Sequence, residues 1–230
     1  MPSQIPPSVF ANPAAKAARP ISGKANPILV AIVGGSGSGK TWLTKKLLRA
    51  LSPNAVQLSQ DDFYADRSHL PAGRRARLNF DHPRAIDWTA VQTVLGRLLA
   101  GRPARVPCYD FRTHTRLPAL KILHPRDIIL LEGLWLLRRA SIRRLVSVSV
   151  FLNCPTGTRL RRRLARDLAS RGRTRISIRT QFRRTVEPMH QRYVAPQAQQ
   201  AHFVFRNSPG KREVRWLTDF LRNATRFTDG

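Results

Sequence analysis

Residues 28–33 are apolar without interruption, and a run of this kind predicts a strand buried on both faces of its sheet. The period then changes. Leu43, Leu47, Leu48 and Leu51 recur on one side of a helix that starts directly after a glycine-rich turn. Residues 55–58 read as a second, short strand. Asp87 is placed to cap a helix that carries Val91, Val94, Leu95 and Leu98 on its apolar face and stops near Gly101. Two further buried strands are predicted at 128–131 and 146–152, a strongly basic helix at 156–169, a short strand at 202–206 and a closing helix that ends near Arg226. Strands alternating with helices predict an α/β fold, a mostly parallel sheet with helices on both faces. The stretch between Arg105 and Leu123 reads as a β-hairpin.

Composition adds boundaries to this picture. The chain has 230 residues and 42% hydrophobic content, enough for one well-packed domain, so wholesale disorder is excluded. Residues 1–27, rich in Pro and Ala, are expected to be a flexible tail before a domain spanning 28–230. They lack the apolar core of a signal peptide, and no apolar run approaches the roughly 20 residues of a membrane span. Cys108 and Cys154 are too few for a disulfide framework or a zinc site, which suits a cytoplasmic protein. Lys and Arg outnumber Asp and Glu by 41 to 13, a formal charge of +28 that attracts phosphate in any form: nucleic acid, lipid or small nucleotide. Arg dominates that surplus and is spread along the chain, as a coding bias alone would also produce. The scarcity of acids makes each one informative: the first is Asp61, and Glu occurs only at 132, 187 and 213.

The turn after the first strand, Gly34-Gly35-Ser36-Gly37-Ser38-Gly39-Lys40-Thr41, satisfies every position of the phosphate-binding P-loop pattern in its required strand–turn–helix context. The glycines let backbone N–H groups converge on one point, the helix N-terminus adds its positive dipole end, Lys40 reaches the terminal phosphates, and Thr41 offers a hydroxyl to Mg²⁺. A P-loop leaves the reaction open, because ATPases, GTPases, helicases and small-molecule kinases share it. Asp61 and Asp62 lie just past the second strand, at the carboxyl edge where open α/β sheets bind ligands. One of the pair is placed to accept a proton from an attacking hydroxyl, with loop capping as the plainer alternative. Glu132 ends the third strand, where a Walker-B-like carboxylate holds Mg²⁺, or where a carboxylate merely caps the next turn.

The succession Ser59-Gln60-Asp61-Asp62-Phe63-Tyr64, Asn79-Phe80-Asp81-His82-Pro83, and Pro107-Cys108-Tyr109-Asp110-Phe111 with His114 and Arg116 resembles the uridine-cytidine kinases. The likeness continues through Glu132-Gly133, the basic helix and Glu187-Pro188-Met189-His190, covering residues 28 to about 210. It implies transfer of the γ-phosphate of ATP or GTP, with Mg²⁺, to the 5′-hydroxyl of uridine or cytidine in pyrimidine salvage, by a homotetramer. It also implies a hairpin over the nucleoside site and an Arg-rich helical lid at about 159–175. Position by position, the resemblance puts the catalytic base on Asp61, which also joins Thr41 and Glu132 around the metal, and it adds Lys40 and Arg166 to the catalytic set. Arg166 and Arg171 join the P-loop as phosphate ligands. The ribose carboxylate falls on Asp81, and the remaining substrate contacts on Tyr64, Phe80, Tyr109, Phe111, His114, Arg163, Arg173 and Gln181. Taken singly, each aromatic would more often be core; the constellation gives them meaning.

Three departures stand out: Asp62, where relatives commonly have Ser; the chain's basicity together with its proline-rich tail; and Phe205-Arg206-Asn207-Ser208-Pro209-Gly210 in place of a Pro-Arg-Gly-like strand end near the adenine pocket. Arg161, Arg162, Arg175, Arg179, Arg183 and Arg184 match no role and default to a solvated basic face. Other readings remain: a related P-loop kinase acting on ribulose phosphate, pantothenate or glycerate, a catalytically dead homologue, or a nucleic-acid-binding ATPase. The last has only net charge in its favour, since no RNP, zinc-knuckle or helix-turn-helix signature accompanies it. The expected partner is therefore a small nucleoside, with neither membrane nor nucleic acid involved.

Overall fold

The structure, a computed structural model, describes residues 4–13, 27–75, 77–170 and 173–226. The chain forms β1 (Val9–Ala11), β2 (Ile28–Gly34), helix α1 (Lys40–Ala50), β3 (Ala55–Ser59), the one-turn α2 (Ala72–Arg75) and α3 (Trp88–Leu99). Strands β4 (Ala104–Asp110), β5 (Thr115–Leu123) and β6 (Ile128–Gly133) follow, then the one-turn α4 (Ala140–Arg143) and β7 (Val148–Leu152). Helices α5 (Thr156–Ser170), α6 (Arg175–Gln181) and α7 (Glu187–Met189), strand β8 (Phe203–Phe205) and helix α8 (Lys211–Arg226) complete it.

Six strands make one sheet in the order β1-β8-β7-β2-β6-β3, parallel except for the antiparallel edge strand β1. Its centre explains the uninterrupted apolar run. Along β2, Ile28, Val30 and Ile32 enter one core while Leu29, Ala31 and Val33 enter the other, so neither face tolerates a polar residue. On the first face Leu43 and Leu47 of α1 pack with Trp216, Leu217 and Leu221 of α8; on the second, Val91, Val94, Leu95 and Leu98 of α3 complete the core. Asp87 caps α3 by accepting a hydrogen bond from the Ala90 amide at 3.0 Å, and Gly101 ends that region with φ of +70°.

One expectation fails at the N-terminus. Residues 9–11, assigned above to a flexible tail, are the edge strand β1, with Val9 buried against the α8 side of the sheet. Ser8 Oγ donates to Glu213 Oε1 at 2.5 Å, and the Asn12 amide donates to the His202 carbonyl at 2.9 Å. A three-residue strand held mainly by its partner's backbone leaves no periodicity to detect among prolines.

Strands β4 and β5 form the expected hairpin as a separate two-stranded sheet. Arg116 on β5 fastens it to the body, donating from Nε to the Tyr64 carbonyl at 3.0 Å and from Nη2 to Asp87 Oδ2 at 3.1 Å. From α6 to residue 200 the backbone stays helical but passes through two π-type turns, Phe182–Val186 and His190–Val194, which re-aim the side chains they carry. Among the described residues no helix is long and apolar enough to cross a membrane.

Candidate active site

Register fixes the geometry of the site. Parallel pairing sets Ile32 of β2 and Ser59 of β3 level with Glu132 of β6, so the segments leaving these strands open onto one carboxyl edge. There a cavity of about 980 Å³ joins the P-loop at one end to the hairpin at the other.

At the phosphate end, Gly37 and Gly39 have φ of +80° and +101°, the left-handed region that glycine enters without strain. A Cβ on Gly37 would also lie 2.5 Å from the Arg159 carbonyl oxygen. Ser36, Gly37, Ser38, Gly39, Lys40 and Thr41 line the cavity, whereas Gly34 packs toward Leu152 and Gly35 toward His190 and Arg159. Lys40 Nζ donates to the Gly35 carbonyl at 3.1 Å. Burial holds its pKa below the ordinary lysine value, against the opposing pull of Glu132 and Asp61.

Thr41 Oγ1 donates to Glu132 Oε2 at 2.9 Å, at the end of the strand pair that also brings Asp61 to the cavity wall. The Asp61 turn is fixed from below. Its amide donates to Ser59 Oγ at 3.2 Å, and the buried Gln60 accepts from the Trp135 amide at 3.0 Å while lying where a Cβ on Gly133 would sit. Burial raises the pKa of Glu132, opposed by Lys40 and the Thr41 hydrogen bond and reinforced by Asp61. Asp62 points elsewhere: it pairs with Lys121 of β5 at 3.3 Å, tying the hairpin to this turn. A hydroxyl and two carboxylates are hard oxygen donors that fit Mg²⁺, which commonly takes one or two carboxylates and completes its shell with water and phosphate. Among the described residues no group of three or more His, Cys, Asp or Glu could hold a metal ion by itself.

At the hairpin end Tyr64, Phe80, Tyr109, Phe111 and His114 gather on the same cavity. Phe80 and His114 stack with ring centroids 4.3 Å apart, and His114 holds a φ of +57° at the hairpin tip. Tyr64 is largely buried. Its hydroxyl donates to the Phe80 carbonyl at 3.2 Å and its ring lies 5.0 Å from that of Tyr109, so it supports the pocket as well as lining it. The Tyr109 hydroxyl is buried with no hydrogen-bond partner among the described residues, and burial pushes its pKa up to about 12. Asp81 enters from the side. Its Oδ2 accepts from Thr185 Oγ1 at 3.0 Å and from Gln181 Nε2 at 3.5 Å. Thr185, on the first π-type turn, escaped the sequence reading because a lone Thr after two arginines carries no pattern.

The arginines of α5 divide by partner. Arg163 spans the two halves of the site, donating from Nη1 to Ser36 Oγ and from Nη2 to Gln181 Oε1, each at 2.9 Å. Arg166 pairs with Asp167 Oδ1 at 2.8 Å and lines the cavity. Asp167, the one acid of this helix, is fully buried and also lies 3.3 Å from Arg163 Nε, so it anchors both guanidinium groups. Arg173 donates to Gln181 Oε1 and, at 2.8 Å, to Ser177 Oγ. Arg171 lies outside the described residues. Arg162, expected on a solvated face, instead lines the cavity and bridges the Ser38 carbonyl at 3.3 Å and Ser208 Oγ at 2.8 Å, bringing the 208–209 loop to the P-loop. Trp42, directly after the motif, also lines the cavity and was not singled out from the sequence.

Behind the loop, Arg159 is buried and pairs with Glu187 Oε2 at 2.6 Å, which accounts for one of the three glutamates. His190 sits beside it with Nδ1 buried and, among the described residues, without a hydrogen-bond partner; burial, aided by Arg159, lowers its pKa to about 4 from 6.5. The folded state therefore binds less proton at this ring than the unfolded chain does between these values, so its contribution to stability is lost as pH falls through that window. Melting temperature should fall on acidification from pH 6.5 toward 4, and His190→Gln should lessen the proton uptake on unfolding by up to about one. Identical pH slopes for the two proteins in thermal melts would contradict this.

A parallel sheet that delivers a P-loop, a strand-end carboxylate and an arginine-bearing helix to one cavity defines a P-loop kinase. The chain matches the model of the Phosphoribulokinase / Uridine kinase family over residues 29–213 and belongs to that family. It is 39% identical over 172 residues to a uridine kinase of Brevibacillus brevis, covering 74% of this chain and 80% of that one. It is 36% identical over 200 residues to a uridine kinase of Shewanella frigidimarina, covering 85% and 93%. Among solved structures, a putative fructose transport system kinase of a Silicibacter species superposes with a TM-score of 0.62 at 23% identity, covering 73% of this chain and 84% of that one. The phosphoribulokinase of Rhodobacter spheroides gives 0.57 at 15% identity, covering 77% and 69%. At these identities the two structures share the fold.

Proposed function

We propose that the protein is a nucleoside kinase that transfers the γ-phosphate of ATP or GTP to the 5′-hydroxyl of uridine or cytidine, giving UMP or CMP. The observation that carries this reading is the shared cavity: the P-loop and a ring-lined pocket with its own carboxylate, Asp81, open into the same space. Curated uridine kinases at this level of identity support it.

Each part of the chain then has a task. The P-loop amides and Lys40 hold the donor phosphates, and Arg166 faces the phosphoryl group as charge spreads over its oxygens. Thr41, Glu132 and Asp61 would hold Mg²⁺, which when bound neutralises phosphate charge. A carboxylate oxygen of Asp61 orients the 5′-hydroxyl and accepts its proton. Asp81 accepts hydrogen bonds from the ribose 2′- and 3′-hydroxyls, exchanging its contacts with Thr185 and Gln181 for them. The rings of Phe80, Tyr109 and Phe111 enclose a planar base, and the Tyr109 hydroxyl and His114 supply polar contacts at its edge. Arg163, Arg173 and Gln181 close the substrate side.

Ribulose phosphate, pantothenate and glycerate are flexible and anionic, and four aromatic rings offer them little. A coupled assay with ATP and Mg²⁺ across uridine, cytidine, ribulose 5-phosphate, pantothenate and glycerate tests the proposal. Turnover is expected with the two nucleosides; turnover confined to any of the other three would overturn it.

A further inference from the structure

Besides the phosphate loop and the hairpin rings, Trp42, Arg162, Ser208 and Pro209 line the cavity. Trp42 stands in the first turn of α1, two residues after Lys40, and is 46% exposed, whereas Trp88, Trp135 and Trp216 are buried. An indole left in water costs hydrophobic free energy, and nothing in the packing of α1 requires it, because that helix meets the core through Leu43, Thr44 and Leu47. Lys46 Nζ lies 5.8 Å over the ring, a cation–π contact that orders an otherwise exposed side chain. Arg162 bridges the Ser38 carbonyl and Ser208, so the 208–209 loop is held beside the phosphate loop.

We propose that Trp42 is the stacking platform for the base of the phosphate donor, with Pro209 on the loop held by Arg162 forming the rest of that subsite. This rests on the donor-site reading above and assigns to one residue what the P-loop leaves open. The phosphates of a nucleoside triphosphate occupy the loop and the N-terminus of α1, so its ribose and base must extend along the cavity to one side. The other side, toward Asp61 and Asp81, belongs to the acceptor. Trp42 and Pro209 are the flat apolar members of the lining outside the acceptor rings, suited to the face of a heterocycle. The motif itself ends at Thr41, so Trp42 is a choice of this chain that phosphate binding does not dictate.

Inorganic tripolyphosphate separates the contributions of base and phosphates. Equilibrium binding of ATP and of tripolyphosphate would be measured with wild-type protein, Trp42→Ala and Trp42→Phe. Base–aromatic stacking is worth about 1 to 3 kcal/mol, so Trp42→Ala should bind ATP at least about fivefold more weakly, Trp42→Phe should keep most of the affinity, and tripolyphosphate should bind all three alike. ATP should also quench the indole fluorescence of the wild type, and Trp42→Phe should lose that quenching. Because Trp42 is outside the core, both variants are expected to fold. If wild type binds both ligands and Trp42→Ala matches it for ATP, or loses as much for tripolyphosphate as for ATP, the platform assignment is wrong while the donor site stands. If wild type binds neither, the donor-site reading itself fails and the platform with it.

Discussion

Asp61→Asn should lower kcat by two or more orders of magnitude while uridine still binds, because the amide keeps the shape of the carboxylate and cannot take the 5′-hydroxyl proton. Asp62→Asn should change kcat by only a few-fold. The physical difference between these neighbours is where they face: Asp61 is on the cavity wall, whereas Asp62 is engaged 3.3 Å from Lys121 on the hairpin. Burial raises the Asp62 pKa, with Lys121 opposing, so losing that carboxylate should loosen the hairpin rather than stop the chemistry. Steady-state kinetics with uridine titrations of both variants check this, and a larger loss from Asp62→Asn would exchange the two roles.

Lys40→Ala should be comparably severe, with kcat reduced by about two to three orders of magnitude, the size expected when a preorganised donor to developing charge is lost from an enclosed site. The Lys40 ammonium is half-buried near Glu132 and Asp61, and the desolvation already lowers its pKa. The cation is therefore held where water competes poorly for it, poised for phosphate oxygens. A near-wild-type melting temperature for Lys40→Ala, with turnover lost, is the expected pairing. Retained turnover would remove this loop from the reaction.

The sequence exposed the parts of the molecule whose physics is local. A strand buried on both faces must be apolar throughout, so β2 and β6 announce themselves. The P-loop needs glycine where φ is positive or the backbone passes close, so it can be read as a pattern. Boundaries shifted by a residue or two: β7 begins at Val148 and β8 spans Phe203–Phe205. What stayed hidden depends on partners distant in sequence. Strand β1 exists because β8 offers it an edge, and Arg162 belongs to the site because Ser208 and the P-loop carbonyls lie within its reach. That Asp62 pairs with Lys121 could not be known from spacing either, because Lys121 lies far along the chain on a strand whose register the sequence does not set. Thr185 reaches Asp81 from a π-type turn, a geometry that helical periodicity does not foresee.

The central claim, that this cavity is built for a ribonucleoside, is tested most directly by kcat/KM for uridine and cytidine against their 2′-deoxy counterparts. Asp81 is held by Thr185 and Gln181 before any sugar arrives, and the proline after His82 restricts that residue to extended conformations that present the carboxylate. An acceptor preset for two vicinal hydroxyls loses one partner with a deoxyribose, a penalty of about 1 to 3 kcal/mol. The account predicts that the ribonucleosides are favoured at least about tenfold, equivalent to about 1.4 kcal/mol, and that Asp81→Ala largely abolishes the preference while weakening binding. Equal kcat/KM for cytidine and deoxycytidine with the wild-type protein would contradict it.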